Sequence, residues 1–481
     1  MQYEIVIGLE VHCQLSTESK IFSSDSNHFG SEPNTNISVI TLGHPGVLPK
    51  LNKKAVEYAI RMGLACGCEI NRYNYFDRKN YFYPDLPKGY QVSQDKHPIC
   101  KGGGVSVRLK NGKQFRERFL ELHHIHLEED AGKSVHEGES VYTRLDYNRA
   151  GTPLIEIVSE PCMRSAEEAG AYLTEIRKIV RYLDICDGNM EEGSMRADLN
   201  ISIRPLGTET LGTKVEVKNM NSIRNLQRAV EFEFKRQVRM FENGDKILQE
   251  TRMFDADTGE TYGMRVKETM NDYRYFPEPD LAPIRISDEW LQLVKARMPA
   301  LPHELFRQFT QEYGILDEHA VVLTDSKDIA GYFLETAQFI KNHRAIANWL
   351  TSTIKGYLND KGIEISELLL KPKQLAEIIS LVDENKISSS TAAQKLFPLL
   401  IDNPNKTALS LAESNNLIQQ SNTDALQTLI NEVLSSYPDK VKEFKNGKKG
   451  LLGMFVGEVM KKSKGTADPK LTNQLLMDAL K

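Results

Sequence analysis

The spacing of apolar residues changes character once along the chain. Before about residue 290 they fall in short alternating runs punctuated by Gly and Pro. Beyond it they recur at spacings of three and four, as in Phe333, Leu334, Ala337 and Ile340, or Leu375, Ile378, Ile379, Leu381 and Val382. Alternation predicts strands and the second pattern predicts helices. A turn-rich break at Asp402-Asn403-Pro404-Asn405 divides the helical part again. The expected organisation is a sheet-based domain over 1–290, a helical domain over 291–405 and a small α-helical tail over 406–481. Two helices stand out in the first region. One opens at Ser165-Ala166-Glu167-Glu168, a capping box in which the Ser oxygen and the Glu carboxylate each satisfy a free backbone N–H. The other follows Asn221-Ser222, buries Leu226, Val230 and Phe234, and stops at Gly244. The rest of the region reads as mainly antiparallel sheet with helices against it, so the fold class is α+β.

The polar positions of the alternating runs carry the chemistry. In residues 3–15, Ile5, Ile7, Leu9, Val11, Cys13 and Leu15 alternate with Gly8, Glu10, His12 and Gln14. Side chains two apart share one face of a strand, so Glu10, His12 and Gln14 point together away from the core. The pattern recurs where Asp198, Asn200, Ser202 and Arg204 oppose Ala197, Leu199, Ile201 and Ile203, and where Lys214, Glu216 and Lys218 oppose Val215 and Val217. His124, His126 and Glu128 oppose Ile125 and Leu127, and Glu156 lies between Ile155 and Ile157. One such strand reads as a solvated outer face. Several together would repel one another unless cations bind, and carboxylates with one imidazole suit a hard divalent ion that bridges to phosphate. Arg196, Arg204, Lys214 and Lys218 can meet phosphate charge left over. The segment from Phe76 to Asp85 mixes aromatic and basic residues, which suits either a nucleotide end or a packed corner.

Composition narrows the class. A chain of 481 residues with 40% hydrophobic residues and a net charge of −5 is folded and multidomain. No apolar run approaches the roughly 18 residues needed to cross a bilayer, and no leader-like segment precedes the first strand. Six cysteines are too few for a disulfide scaffold, so Cys66 and Cys68 read as ordinary thiols of a reduced, cytoplasmic protein. A pI near 6.2 means that any nucleic-acid site must be local. The tail supplies such charge: Lys440, Lys442, Lys445, Lys448, Lys449, Lys461, Lys462 and Lys464 outnumber Asp439, Glu443 and Glu458. A lysine-rich helical face is either solvated or bound to phosphates. Gly132-Lys133-Ser134 is not a phosphate-binding loop, because Leu127 stands where the earlier Gly is required. No local motif supplies a hydrolytic nucleophile.

Longer motifs point to a family. Gly8-Leu9-Glu10-Val11-His12, Lys79-Asn80-Tyr81-Phe82-Tyr83-Pro84-Asp85 and Asn148-Arg149 with Gly151-Thr152-Pro153-Leu154-Ile155-Glu156 resemble the B subunits of tRNA-dependent amidotransferases. So do Met190-Glu191-Glu192-Gly193-Ser194, Lys218-Asn219-Met220-Asn221-Ser222 and the run from Asp272 to Asp280. Gly453-Met454-Phe455-Val456-Gly457 and Asn473-Gln474-Leu475-Leu476 continue the likeness to the end.

The resemblance implies a cradle with a glutamine-synthetase-like sheet, a helical domain and a YqeY-like tail that holds tRNA. It implies a cytoplasmic heterotrimer with an amidase A subunit and a small C subunit. In that family the B subunit uses ATP to phosphorylate the side-chain carboxylate of Glu-tRNA(Gln) or Asp-tRNA(Asn). Ammonia, released from glutamine by the A subunit, then forms the amide, which makes the complex a carbon–nitrogen ligase. Matching positions assign Glu10, His12, Glu128, Asp198 and Glu216 to Mg²⁺ and the chemistry. Lys79, Arg149 and Lys218 are candidates for contact with ATP phosphates or the substrate carboxylate. Lys445, Lys448, Lys449, Lys461 and Lys462 are candidates for the tRNA backbone. Many members carry a zinc-binding Cys-x-Cys and Cys-x-x-Cys after the first strand, whereas the matching positions here are Ser23, Asp25, Ser38 and Thr41. That set predicts no structural zinc and a loop held by packing alone. Two other readings fit parts of the chain. A stand-alone carboxylate–ammonia ligase explains the acidic sheet, and a non-catalytic tRNA-binding scaffold explains the tail.

Overall fold

The computed structural model describes residues 2–112, 114–135, 142–266, 273–419, 423–463, 467 and 469–480, so Lys464 of the tail and Asp272 lie outside the described residues. The chain divides into two compact units, 1–304 and 305–481.

Among the described residues, the first unit is built on a ten-stranded sheet. Its centre consists of β1 (Tyr3–Gln14), β2 (Gln114–Glu129), β3 (Pro153–Ser159), β4 (Met195–Pro205), β5 (Val215–Met220) and β6 (Glu250–Phe254), in the spatial order β6-β5-β4-β1-β3-β2. All neighbours in this run are antiparallel except β5 and β6, which are parallel. The alternation places Ile7, Leu9, Val11, Leu199, Ile201, Val215 and Val217 on a face that is almost fully buried. Helices α1 (Lys53–Ala65), α2 (Ala166–Tyr182) and α3 (Ile223–Glu242) contribute Ile60, Leu173, Ile176, Leu226 and Val230 to the same core. The opposite face of β1 carries the charged residues.

Local signals set the helix ends. Ser222 caps α3 by accepting from the Asn225 N–H, and Gly244 takes the left-handed conformation just past its end. Ser165 caps α2 through the Glu168 N–H at 3.1 Å. The reciprocal half of the expected box differs. The Glu168 carboxylate accepts from the Arg164 N–H at 2.6 Å and pairs with Arg118, whose guanidinium draws it one residue outward.

In the second unit, helix Pro372–Asp383 buries Leu375, Ile378, Ile379 and Leu381. Helix Lys327–Ala337 buries Phe333 but ends before Ile340, because Asn342 caps the next helix and the chain must turn between them. Helices Thr423–Ser436, Leu452–Lys462 and Pro469–Leu480 enclose a small core of Ile430, Val433, Phe455, Val459 and Leu476. Among the described residues no helix is long and apolar enough to cross a membrane.

Ile7 is fully buried at the centre of the sheet. Ile7→Ala should cost about 2–5 kcal/mol, whereas Ser165→Ala should cost about 1 kcal/mol for the lost cap. Urea unfolding midpoints of the two variants should fall in that order.

Candidate active site

Strand register explains how distant residues meet. Glu156 on β3 stands directly opposite both His12 on β1 and His126 on β2, and Glu10 stands opposite Asp198 on β4. Asn200 stands opposite Gly8 on one side and Glu216 on the other. Two neighbouring groups result, His12 with Glu128 and Glu156, and Glu10 with Asp198 and Glu216, each with its ligand-type atoms within 4.8 Å of one another. All five sequence-predicted ligands therefore lie on one sheet face. Glu156 completes the first group and was not among those predicted. Its place between Ile155 and Ile157 marked it as polar on a buried strand, but only the register brings it to His12.

The first group is tightly linked. His12 Nε2 lies 3.2 Å from Glu156 and 3.8 Å from Glu128, and His126 Nε2 lies 3.5 Å from each carboxylate. Burial disfavours the His12 imidazolium, yet Glu156 and Glu128 outweigh it and push the group up to about 9. Burial likewise acts to raise Glu156, but His126 and His12 hold its carboxyl well below the usual range. In the second group burial and Glu156 raise Glu10, which accepts from Asn200 Nδ2 at 2.8 Å. Lys218 Nζ contacts Asp198 at 2.6 Å and Glu216 at 3.1 Å, and Thr251 donates to the other Glu216 oxygen.

A cleft beside these groups is lined by His12, Lys79, Tyr81, Glu128, Glu156, Arg196, Asp198 and Lys218. Lys79 lies over the Tyr273 ring at 4.9 Å. Arg78, its neighbour, forms a two-pronged pair with Glu278 at 2.7 and 2.8 Å and lies over Tyr90, so the Phe76–Asp85 segment docks against the one that carries Tyr273 and Glu278. Arg196 pairs with buried Asp130 at 3.0 Å, and Arg204 pairs with Glu4. Arg149 donates to the Ala131 and Gly132 carbonyls. In the tail Lys445, Lys448, Lys449, Lys461 and Lys462 are exposed, with Lys448 near Glu443 and Lys462 near Glu432 at 3.3 Å each.

The donor set suits a hard divalent ion. Each group gathers its ligand-type atoms closely enough that its carboxylates, with His12 in the first, would hold such an ion. Asn200, whose Nδ2 donates to Glu10, has its Oδ1 buried without a hydrogen-bond partner. Ser23, Asp25, Ser38 and Thr41 also converge. Asp25 accepts from the Ser38 N–H at 2.9 Å and from the Thr41 hydroxyl, which contacts Ser23. One carboxylate and three hydroxyls do not fit zinc. The expectation that packing alone holds this loop is corrected: a hydrogen-bond cluster centred on the half-buried Asp25 carboxylate ties it, because a carboxylate partly withdrawn from water gains from such donors. Cys66 and Cys68 are buried, and burial raises both thiols.

With this geometry in hand, comparison with known proteins is decisive. A family model described as the GatB/GatE catalytic domain matches residues 5–292, and one described as the GatB domain matches residues 331–480. The chain is 47% identical to the B subunit of the aspartyl/glutamyl-tRNA(Asn/Gln) amidotransferase of Thermodesulfovibrio yellowstonii, over all of both chains. It is 49% identical to the B subunit of the same-named amidotransferase of Thermosynechococcus vestitus, over all of this chain and 97% of that one. The chain belongs to the family of amidotransferase B subunits. In this member both ligand groups fall within the catalytic-domain match, and the lysine-rich tail falls within the second.

A metal ion on His12 requires the neutral imidazole. Since His12 holds its proton up to about 9, Mn²⁺ affinity at the first group should rise roughly tenfold per pH unit between about pH 6 and pH 8. Calorimetric titration checks this, and His12→Gln should flatten the slope. An equally flat profile in the unsubstituted protein would sink the assignment.

Proposed function

We propose that this chain activates the side-chain carboxylate of Glu-tRNA(Gln), Asp-tRNA(Asn) or both with ATP, and then forms the amide with ammonia. The observation that carries this reading is the pair of adjoining carboxylate groups on one sheet face, bordered by Lys79 and Lys218. The full-length similarity to proteins named as amidotransferase B subunits supports it and does not favour a stand-alone ligase or a scaffold.

Bound Mg²⁺ supplies phosphate neutralisation and alignment for an in-line transfer. Glu128, Glu156 and His12 would hold one ion, and Glu10, Asp198 and Glu216 would face a second. Lys79, at the cleft wall, is placed to contact phosphate or the substrate carboxylate; Arg149, turned to backbone carbonyls, would position the adjoining loop. The substrate carboxylate oxygen attacks the γ-phosphorus and ADP leaves. Ammonia then attacks the acyl carbon, phosphate leaves with the C–O bond electrons, and the nitrogen loses a proton. Tyr81 and Tyr273, against Lys79, would limit water near an acyl phosphate, which water hydrolyses. Ammonia comes from glutamine through an amidase A subunit, with a small C subunit completing a heterotrimer. This is a carbon–nitrogen ligase using glutamine as amide donor. The exposed tail lysines would contact the tRNA backbone.

Amide formation on Glu-tRNA(Gln) with ATP, Mg²⁺ and free ammonium should proceed with this chain and its C subunit, or with the full trimer. Glu156→Gln should lower its rate by at least about 100-fold, the scale of removing a group that acts on transition-state charge. Absence of product from the trimer would refute the reading. Replacing Lys445, Lys448 and Lys449 by Ala should weaken tRNA binding. The slope of log affinity against log salt should then become shallower by about 0.7–0.9 for each phosphate no longer neutralised.

A further inference from the structure

The second ligand group already contains a cation. Lys218 Nζ sits between Asp198 Oδ2 at 2.6 Å and Glu216 Oε1 at 3.1 Å. It lies two residues from Glu216 on the same strand face, so the backbone of β5 delivers it there. Glu10 also accepts from Asn200 Nδ2, and Glu216 Oε2 from the Thr251 hydroxyl. The Lys218 side chain is also 42% exposed on the cleft side, so it has somewhere to go.

These facts place the ammonium in competition with a divalent ion. Three carboxylates on a half-buried face demand positive charge, and Lys218 supplies part of it from within the group. A second ion entering the group needs the Asp198 and Glu216 oxygens that Lys218 holds. Two cations sharing those oxygens would repel at short range, so entry of one requires withdrawal of the other. Withdrawal into empty solvent leaves the ammonium without a partner, whereas phosphate oxygens in the adjoining cleft would replace both carboxylates.

We propose that Lys218 is the resident cation of the Glu10–Asp198–Glu216 group and transfers to nucleotide phosphate as a second divalent ion enters. The inference rests on the ATP–Mg²⁺ reading above. It makes second-ion binding and nucleotide binding mutually dependent, while the His12–Glu128–Glu156 group can fill without displacing Lys218. Such linkage is reciprocal, with each ligand raising the affinity of the other by the same factor.

The test counts Mn²⁺ ions bound to the full-length chain by equilibrium dialysis and electron paramagnetic resonance, without nucleotide. The unsubstituted protein should bind one ion tightly. Lys218→Met, which keeps length and removes charge, should bind two, with second-ion affinity raised by about 5–150-fold. Lys218→Arg, which keeps the cation, should still bind one. Gain of a site cannot arise from misfolding. Two tight ions in the unsubstituted protein, or one in Lys218→Met, would overturn the proposal while leaving the ATP–Mg²⁺ reading intact. If the unsubstituted protein bound no Mn²⁺ even with a non-hydrolysable ATP analogue, that reading would fail and the proposal with it.

Discussion

The structure depends on the antiparallel register of five central strands, β1 to β5, because that register decides which carboxylates become neighbours. One face of the strands is almost entirely Ile, Leu and Val and must be buried against the helices. Since strand side chains alternate, burying that face forces Glu10, His12, Glu156, Asp198 and Glu216 onto the other. A one-residue slip between β1 and β3 would separate His12 from Glu156 and also push charge into the core. Hydrophobic burial therefore maintains a cluster of like charges that would disperse if electrostatics alone decided.

The cluster persists because its charge is partly answered from within. His12 lies among Glu128 and Glu156, and Lys218 lies between Asp198 and Glu216. The two groups meet the same demand differently. An imidazolium must lose its proton before its nitrogen can bind a metal, while an ammonium must move away as a body. The first group is thus governed by proton concentration and the second by where else the lysine can find an anion. Arg196 is committed to Asp130 at the border of the cleft, and that pair braces the strand ends without entering either group.

The loop containing Ser23, Asp25, Ser38 and Thr41 answers its charge in a third way. Here one carboxylate and three hydroxyls converge in the loop after the first strand. They satisfy one another by hydrogen bonds. Burial and neighbouring Lys20 surround Asp25 with opposing influences, and the hydrogen bonds keep its carboxyl below the ordinary range. Short polar side chains thus tie the loop through mutual hydrogen bonds.

Much of this was legible in the amino-acid sequence. Alternation of period two identified the strands and the face each polar residue takes, and spacing of three and four with Ser and Gly at the ends identified α2 and α3. These are local properties of backbone geometry, so sequence alone determines them. The long motifs determined the family, and the five predicted ligands share one face for the reason the alternation supplied. What tertiary structure decided was pairing. Nothing local places Glu156 opposite His12, Lys218 between Asp198 and Glu216, or Arg149 against the Ala131 and Gly132 carbonyls. Nor does it draw the Glu168 carboxylate from its own helix cap toward Arg118. Those outcomes depend on strand order and register, which are set by burial of the entire apolar face and by pairing of segments far apart in the chain.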